Sequence, residues 1–412
     1  MRLATHILVI ILLFPALSIR CKQEQCLPGD PGCNPIPEFL FARLAVQCTY
    51  EGPIQSLGPV EFQSGIGPTA IFDARISPSQ DSILIAGHQD SGTSRTWIVA
   101  RSDFSLSTIS ILDSFNPGSG ASPRQIEFSN DGVAVAGSGD SGAGLNGFLR
   151  FSSDLSNWST LDQYQYSGEP TSFQGVASSG SALYITGNVS DGTNSKLLSF
   201  LRKYDGSSSN VYFDNSGTSP GGPFLSPIKS NGLADFAVEY ESVDGSNPAT
   251  LQINQIREPF TLTENTYSFQ AFSNPQKKSP VAFAVKGNDF FVPAYGPSSV
   301  KLMRFAGGAW SAEDTIVENS HLGSGLLATR TGPVVWAIGA GPTTSDMQLR
   351  VHVLRYGVVR RLNVPAHFTN NTTNQPQSIV ELPNGDLIVF ATSDAATQAL
   401  SQSIAYRIPC TN

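Results

Sequence analysis

One arginine returns along the chain at a spacing that fits a repeat architecture. It closes a short run at Val99-Ala100-Arg101, Phe148-Leu149-Arg150, Phe200-Leu201-Arg202, Gln255-Ile256-Arg257, Leu302-Met303-Arg304, Val353-Leu354-Arg355 and Ala405-Tyr406-Arg407. Successive intervals are 49, 52, 55, 47, 51 and 52 residues, close to one unit of four short strands with its connections. Upstream of each arginine a turn signal precedes an apolar run, as in Asp81-Ser82 before ILIAG, Asn130-Asp131-Gly132 before VAVAG and Asn384-Gly385 before DLIVFA. Asn-Gly and Asp-Gly pairs between apolar runs are strong hairpin signals, because a type I′ turn needs positive φ at both central residues. Seven copies predict an all-β chain folded as a seven-bladed β-propeller over residues 39–412.

An acid follows most of these arginines. Asp113, Asp162 and Asp214 stand 12 residues after theirs, and Glu264 and Glu318 stand 7 and 14 after theirs; Arg355 is followed only by Asn363. A hairpin sets residues at that separation opposite each other, where opposite charges attract. The expectation is one structural Arg–carboxylate clamp per blade and not seven active sites. The last repeat ends one strand short, which would leave an unpaired edge. Gly58-Pro59-Val60-Glu61-Phe62-Gln63 precedes the first repeat as the acid-bearing strands precede the later ones: Glu61 lies 8 residues before Thr69, and Asp113 and Asp162 each lie 9 before Ser122 and Thr171. This segment is expected to complete the last blade and close the ring, with Glu61 opposite Arg407 as the seventh clamp. A Cys48–Cys410 disulfide would then lock the two ends together, with Cys26–Cys33 as a local bridge.

With 25 Lys+Arg against 33 Asp+Glu, the net charge is −8, and no basic block interleaves with aromatics. Nucleic acid is therefore excluded as a partner. The turns between second and third strands are long and polar, as are the connections between blades, and in a propeller both emerge on one face. Loops on a rigid scaffold carry function, so the binding surface is expected around Asp90, Asp140, Asp191, Asp244, Lys277 and Lys278. Asp90, Asp140 and Asp191 follow Gly87, Gly137 and Gly187, which suggests a calcium reading. Each loop offers one acid, however, and Asp beside Gly is ordinary turn composition, so neither metal nor cofactor is expected. The five histidines show no HxH or HExxH spacing, and no GxSxG elbow appears. No catalytic residue is assigned.

The N-terminus carries Arg2, an apolar stretch from Ile7 to Leu17 and then Cys21. This fits an export signal over residues 1–20, too short to span a bilayer. Its end has two readings: lipidation of Cys21, or cleavage near Ser18. With Cys21 set aside, Cys26, Cys33, Cys48 and Cys410 form an even set, as an oxidising compartment favours. Residues 21–38 read as a Cys/Pro-rich tether. The leader QCLPGDPGCNPIPEF behind this signal resembles spirochaetal surface lipoproteins, and that resemblance implies a lipid anchor at the outer surface or periplasm as the only membrane contact. The body resembles bacterial β-propeller-repeat surface proteins, through Ile83-Leu84-Ile85-Ala86-Gly87 with Val99-Ala100-Arg101-Ser102-Asp103, and through Asp131-Gly132-Val133-Ala134-Val135-Ala136-Gly137 with Leu149-Arg150. It implies a monomeric scaffold for a protein or glycan ligand, with no catalytic residues. A second resemblance is to sialidase-like glycoside hydrolases. Tyr406-Arg407-Ile408-Pro409 resembles their Arg-Ile-Pro motif, and Ser153-Asp154-Leu155-Ser156-Asn157-Trp158 resembles a shortened Asp box, but the first motif stands in the last repeat and the second occurs once. These readings differ in one respect: a hydrolase needs Arg, Glu/Asp and Tyr side chains converging at the central mouth.

Overall fold

The computed structural model describes residues 48–411 except 64–68, 92–93, 143, 180, 191–196, 215–223, 226, 231–234, 242–248, 257–264, 270–281, 296–297, 344–345, 366–372 and 395–401. The described residues form strands and no helix. Strand β1 (Gln55–Val60) comes first, and seven antiparallel sheets follow in a ring. Blade 1 is β2 (Thr69–Ile76), β3 (Ile83–Asp90), β4 (Arg95–Ser102) and β5 (Ile109–Phe115). Blade 2 is β6 (Ser119–Ser129), β7 (Gly132–Asp140), β8 (Leu145–Ser152) and β9 (Ser159–Tyr164). Blade 3 is β10 (Thr171–Ser179), β11 (Ala182–Ser190), β12 (Leu197–Tyr204) and β13 (Ser208–Asp214). Blade 4 has its inner strand in two pieces, β14 (Phe224–Leu225) and β15 (Lys229–Ser230), both paired with β16 (Asp235–Glu241); β17 (Ala249–Ile256) and β18 (Asn265–Phe269) follow. Blade 5 is β19 (Ala284–Lys286), β20 (Asp289–Tyr295), β21 (Ser299–Ala306) and β22 (Ala309–Val317). Blade 6 is β23 (Ser320–Ala328), β24 (Val334–Thr343), β25 (Asp346–Arg355) and β26 (Val358–Leu362). Blade 7 is β27 (Thr373–Glu381), β28 (Leu387–Asp394) and β29 (Gln402–Ile408), completed by β1.

The apolar runs that announce each repeat are the second strands. In β3 and β7 nearly every residue is buried, because neighbouring blades cover both faces of the sheet and no solvent face remains to alternate toward. The fourth strands β5 and β9 are largely exposed. Burial is arranged between blades. Leu84, Trp97 and Val99 of blade 1 pack with Ile126, Val135 and Phe148 of blade 2, and similar apolar clusters straddle every other junction, including that of blades 7 and 1. The core is thus a ring of interfaces, and a blade buries little on its own.

The ring closes as expected, with β1 as the outer strand of blade 7. The antiparallel register runs from Gln55 opposite Arg407 to Val60 opposite Ser403, with a bulge between Ser56 and Gly58. Glu61 therefore lies beyond the far end of the pairing, and the expected Glu61–Arg407 clamp does not form. The Cys48–Cys410 disulfide does form, across a sequence separation of 362 residues. Around it, Thr49 N donates to Thr411 O at 2.7 Å and the Tyr50 hydroxyl donates to Gly385 O at 3.2 Å. Gly385 sits at φ +88°, and a Cβ there would lie 2.6 Å from Cys48 Sγ, so the turn signal Asn384-Gly385 also makes room for the bridge. Cys21, Cys26 and Cys33 lie outside the described residues.

The arginine clamps are real, but their partners differ from the hairpin expectation. Val99 is opposite Asp113, Leu149 is opposite Asp162, and bulges beside these pairs break the simple register. In blade 2 Arg150 stands one residue beyond Leu149, the partner of Asp162, so arginine and acid project from opposite faces and meet the neighbouring blades instead of each other. Arg150 Nε and Nη2 donate to Asp113 of blade 1 at 3.0 and 2.8 Å, and Arg150 lies 4.5 Å above the Phe115 ring. Arg202 donates likewise to Asp162 of blade 2 at 2.9 and 3.2 Å and lies 3.8 Å above Tyr164. Arg101, Arg304 and Arg407 take acids near the start of their own second strands: Asp81 at 2.9 Å, Asp289 at 2.6 Å and Asp386 through Nε at 2.8 Å. Glu318 faces Arg350 of blade 6 at 3.5 Å and not Arg304, whose second partner is Glu313 at 3.6 Å. Asp314 of blade 5 meets His352 of blade 6. Arg355 lies against the Tyr356 ring at 5.3 Å. Arg257, Glu264 and the Asp214 side chain lie outside the described residues.

These two kinds of clamp predict different costs. Asp113→Ala leaves Arg150 buried without its counter-charge and should cost about 3–5 kcal/mol in denaturant unfolding. Asp81→Ala breaks an exposed pair and should cost clearly less. Equal losses from the two variants would contradict the buried, cross-blade assignment.

Candidate functional site

The inner strands line the propeller axis, and each blade along it presents one bare sheet edge. In five of them the pairing with the second strand is interrupted at the same place, between Ile71 and Asp73, Pro123 and Gln125, Phe173 and Gly175, Leu322 and Ser324, and Pro376 and Ser378. A bulge bends a strand and re-aims its side chains. Here it places Phe72, Arg124, Gln174, Gly323 and Gln377 at the extra position, and Asp73, Gln125, Gly175 and Ser378, which follow four of these, meet neighbouring blades. Asp73 Oδ2 accepts from Ile126 N of blade 2 at 2.9 Å, and Ser378 Oγ accepts from Ala74 N of blade 1 at 3.1 Å. Gln125 Oε1 accepts from Val176 N at 3.2 Å and Ile228 N at 2.9 Å, while its Nε2 donates to Ile228 O at 2.7 Å. Gln125 of blade 2 thereby reaches past blade 3 to blade 4. Gly175 permits this reach, since a Cβ there would lie 2.5 Å from Gln125 Oε1.

A cavity of about 410 Å³ opens inside this ring. Its walls combine apolar surface, including Phe283, Leu326 and Ile379, with charged groups from several blades: Asp73, Arg75, Arg124, Lys229, Arg330 and Glu381. Both carboxylates already have structural partners. Asp73 Oδ2 takes Arg75 Nε at 3.2 Å besides Ile126 N, and Glu381 accepts from Arg330 N at 2.6 Å and Thr331 N at 3.3 Å. The Arg330 side chain lies 3.5 Å from Glu381 and donates to Leu382 O at 2.8 Å. Arg124 is different. Its guanidinium lies 4.9 Å over the Phe72 ring, and its buried Nε has no hydrogen-bond partner. One buried nitrogen of Arg75, Nη2, is also unpartnered.

Burial shifts the titration of this cluster. It draws Arg124 down to about 10, and it draws Lys229 down to about 8, helped by the Arg75 charge. Glu127, next to the cavity, is pushed by burial up to about 7 although Arg75 opposes the rise; Asp235 is also raised by burial. Cations and carboxyls from three blades thus share a desolvated space near the axis.

None of these axial residues was singled out by the sequence reasoning. The readable signal was charge in an inner strand, at Asp73 and Arg75 and at Arg124 and Glu127, where each strand is otherwise apolar or small. The loop residues that were singled out behave locally. Thr69 is opposite Gln89, so the connection entering blade 1 and the turn leaving β3 do lie on one face. There Asp90 pairs with Arg95 at 2.7 Å, and Asp140 Oδ1 accepts from Gly142 N and Gly144 N at 2.9 and 3.3 Å, the bonds of acids that shape their own turns. Asp191, Asp244, Lys277 and Lys278 lie outside the described residues. No group of three or more His, Cys, Asp or Glu able to hold a metal occurs among the described residues. Of the residues resembling sialidase motifs, Arg407 is bound to Asp386, and Asp154 accepts from Ser156 N and Asn157 N, each at 2.8 Å, as a turn cap.

No protein-family model matches the chain, and no curated protein matches it in sequence. Among solved structures it is similar to YCF48 bound to a D1 peptide, with TM-score 0.50 and 11% identity over 89% of this chain and 100% of that one. It is also similar to the GH93 α-L-arabinofuranosidase of Fusarium graminearum in complex with arabinobiose (TM-score 0.49, 11% identity, 86% of this chain and 98% of that one). A third is the β-propeller domain of the trilobed protease from Pyrococcus furiosus (TM-score 0.46, 8% identity, 84% and 96%). At these identities the likeness shows the propeller fold alone.

The Glu127 shift has a sign that can be measured. A carboxyl raised from 4.5 to about 7 holds its proton more tightly in the folded chain, so its contribution to stability is complete below about pH 4.5 and is lost as pH rises through about 7. Glu127→Gln removes that loss. Its melting temperature should match the wild type near pH 5 and exceed it by a few degrees at pH 8; a difference that stays constant with pH would refute the buried-carboxyl account.

Proposed function

We propose that the chain is an exported binding propeller, carried at the cell surface through a lipid on Cys21 and acting as a monomer. It engages an external protein or glycan partner through a group small enough to enter the axial cavity. The observation that carries this reading is the contrast between two sets of polar groups. The loop acids Asp90 and Asp140 are consumed in their own turns, whereas the axial cavity is lined by Arg124 and Lys229, which have no carboxylate partner among the described residues. Binding is favoured over hydrolysis because Asp73 and Glu381 each accept backbone N–H bonds from a neighbouring blade, which occupies the lone pairs a general base would use. The Cys48–Cys410 disulfide is consistent with an oxidising compartment.

Gln377, the extra residue of the blade 7 bulge, lines the cavity, so Gln377→Trp should fill it. On glycan and protein arrays the wild type should capture a defined set of partners and the Gln377→Trp variant should lose them, with an unchanged melting temperature. Partners retained by the variant would move the binding surface to the loops. Mass spectrometry of the mature chain should find acylated Cys21; an unmodified N-terminus near Ser18 would remove the anchor.

A further inference from the structure

The cavity walls are out of charge balance, and in the direction opposite to the whole chain. Four cations line it, Arg75, Arg124, Lys229 and Arg330, against the two carboxylates Asp73 and Glu381. The chain as a whole carries −8. Asp73 answers Arg75 and Glu381 answers Arg330. Arg124 and Lys229 are left without a carboxylate within ion-pair distance among the described residues, although both are desolvated.

A folded chain gains nothing from such an arrangement. A cation enclosed without a counter-charge is costly, and replacing it with a neutral side chain of similar size usually stabilises. Two buried arginines of the ring, Arg150 and Arg202, show the paired arrangement: each receives a two-point carboxylate and an aromatic face. Arg124 has the aromatic face, Phe72, and lacks the carboxylate. Its guanidinium is held over that ring at the cavity wall, where a planar anion can take it by charge-assisted bonds.

Resting on the axial cavity being the binding site, we propose that the group it takes is an organic anion. Its carboxylate or phosphate monoester lies against Arg124, with Lys229 as the second charge, and its apolar body packs on Phe283, Leu326 and Ile379. The volume of about 410 Å³ suits a small molecule or one terminal group of a larger one. Walls of low dielectric strengthen the attraction and exclude cations.

Matched probes test the charge requirement: hexanoate, hexyl phosphate, hexylamine and hexanol, and benzoate, phenyl phosphate, benzylamine and benzyl alcohol, each up to 10 mM at fixed ionic strength. Thermal shift followed by calorimetric titration should show binding by at least one anion, with the amines and alcohols at least tenfold weaker. The carboxylate and phosphate arms identify the headgroup. Arg124→Gln should weaken the anion at least tenfold while leaving the ligand-free melting temperature equal or higher, an outcome that a structural role for Arg124 would reverse. Lys229→Gln should weaken it independently, which guards against a folding defect in the first variant. Amines or alcohols binding as well as anions, no anion binding at 10 mM, or anion affinity unaffected by Arg124→Gln would each overturn the proposal. The Gln377→Trp variant separates the two readings. If it abolishes partner capture while the probes show no preference for anions, the cavity remains the binding site and the anion is wrong; if it changes nothing, the cavity itself is wrong.

Discussion

Every blade turns one bare edge toward the axis, and the ring depends on satisfying those edges without adding a strand. Unpaired backbone N–H groups buried at a sheet edge are costly, and here the neighbouring blade answers them with a side chain. Ser403 of blade 7 accepts from Ile71 N and Ser378 from Ala74 N of blade 1, Asp73 of blade 1 accepts from Ile126 N of blade 2, and Gln125 of blade 2 accepts from blades 3 and 4. Each bond crosses a junction, so the contact that satisfies an edge also sets the angle between two blades. The bulges make this possible by turning one residue per inner strand out of the pleat. Charged residues near the axis begin as part of this edge chemistry, and the cavity is lined by what remains of it.

Blade number and ring closure were legible in the sequence for a simple physical reason. The second strand of each blade is covered on both faces, so it reads as an uninterrupted apolar run behind a turn, and the arginine on the third strand gives that run a fixed phase. The last repeat stopped one strand short, which required an N-terminal strand and brought Cys48 to Cys410. The partners of the arginines were not legible. Spacing says which strand carries Asp113 but not which face it leaves from, and a single bulge beside Val99 is enough to break the inferred register. The axial cluster was harder still. Asp73, Arg124 and Lys229 lie on three different blades, and nothing local to any one of them says that they share a cavity.

Counted from the bulge against the outer strand, Arg150 and Arg202 are the first residues past it, and Arg101, Arg304 and Arg407 are the second, on the other face. In Arg150 and Arg202 the side chain is nearly buried and ties a blade to the one before it, stacked on an aromatic that follows the acid by two residues. In Arg101, Arg304 and Arg407 it folds back on its own blade and stays partly exposed. The first use holds the early junctions by buried ion pairs, while the later junctions rely more on apolar packing and on contacts such as His352 with Asp314. A shift of one residue along the third strand thus turns the arginine to the other face and changes its partner.

The pairing of β1 with β29 has a consequence for how the chain comes to be folded. The strand that completes the ring precedes all seven blades in the chain, and its partner is the last strand of the last blade. Its disulfide partner lies 362 residues away. Closure is the contact of greatest sequence separation in the molecule, and contacts of that kind are slow because their loop entropy is lost before they return anything. Until then blade 7 has an open edge and the junction between blades 7 and 1 is unformed, so Val60, Ile71, Phe390 and Ala405 lack the cluster they share in the finished ring. The vulnerable state of this protein is a nearly complete open arc, and the Cys48–Cys410 bond, once made, removes that state from the native chain's routes back to unfolding.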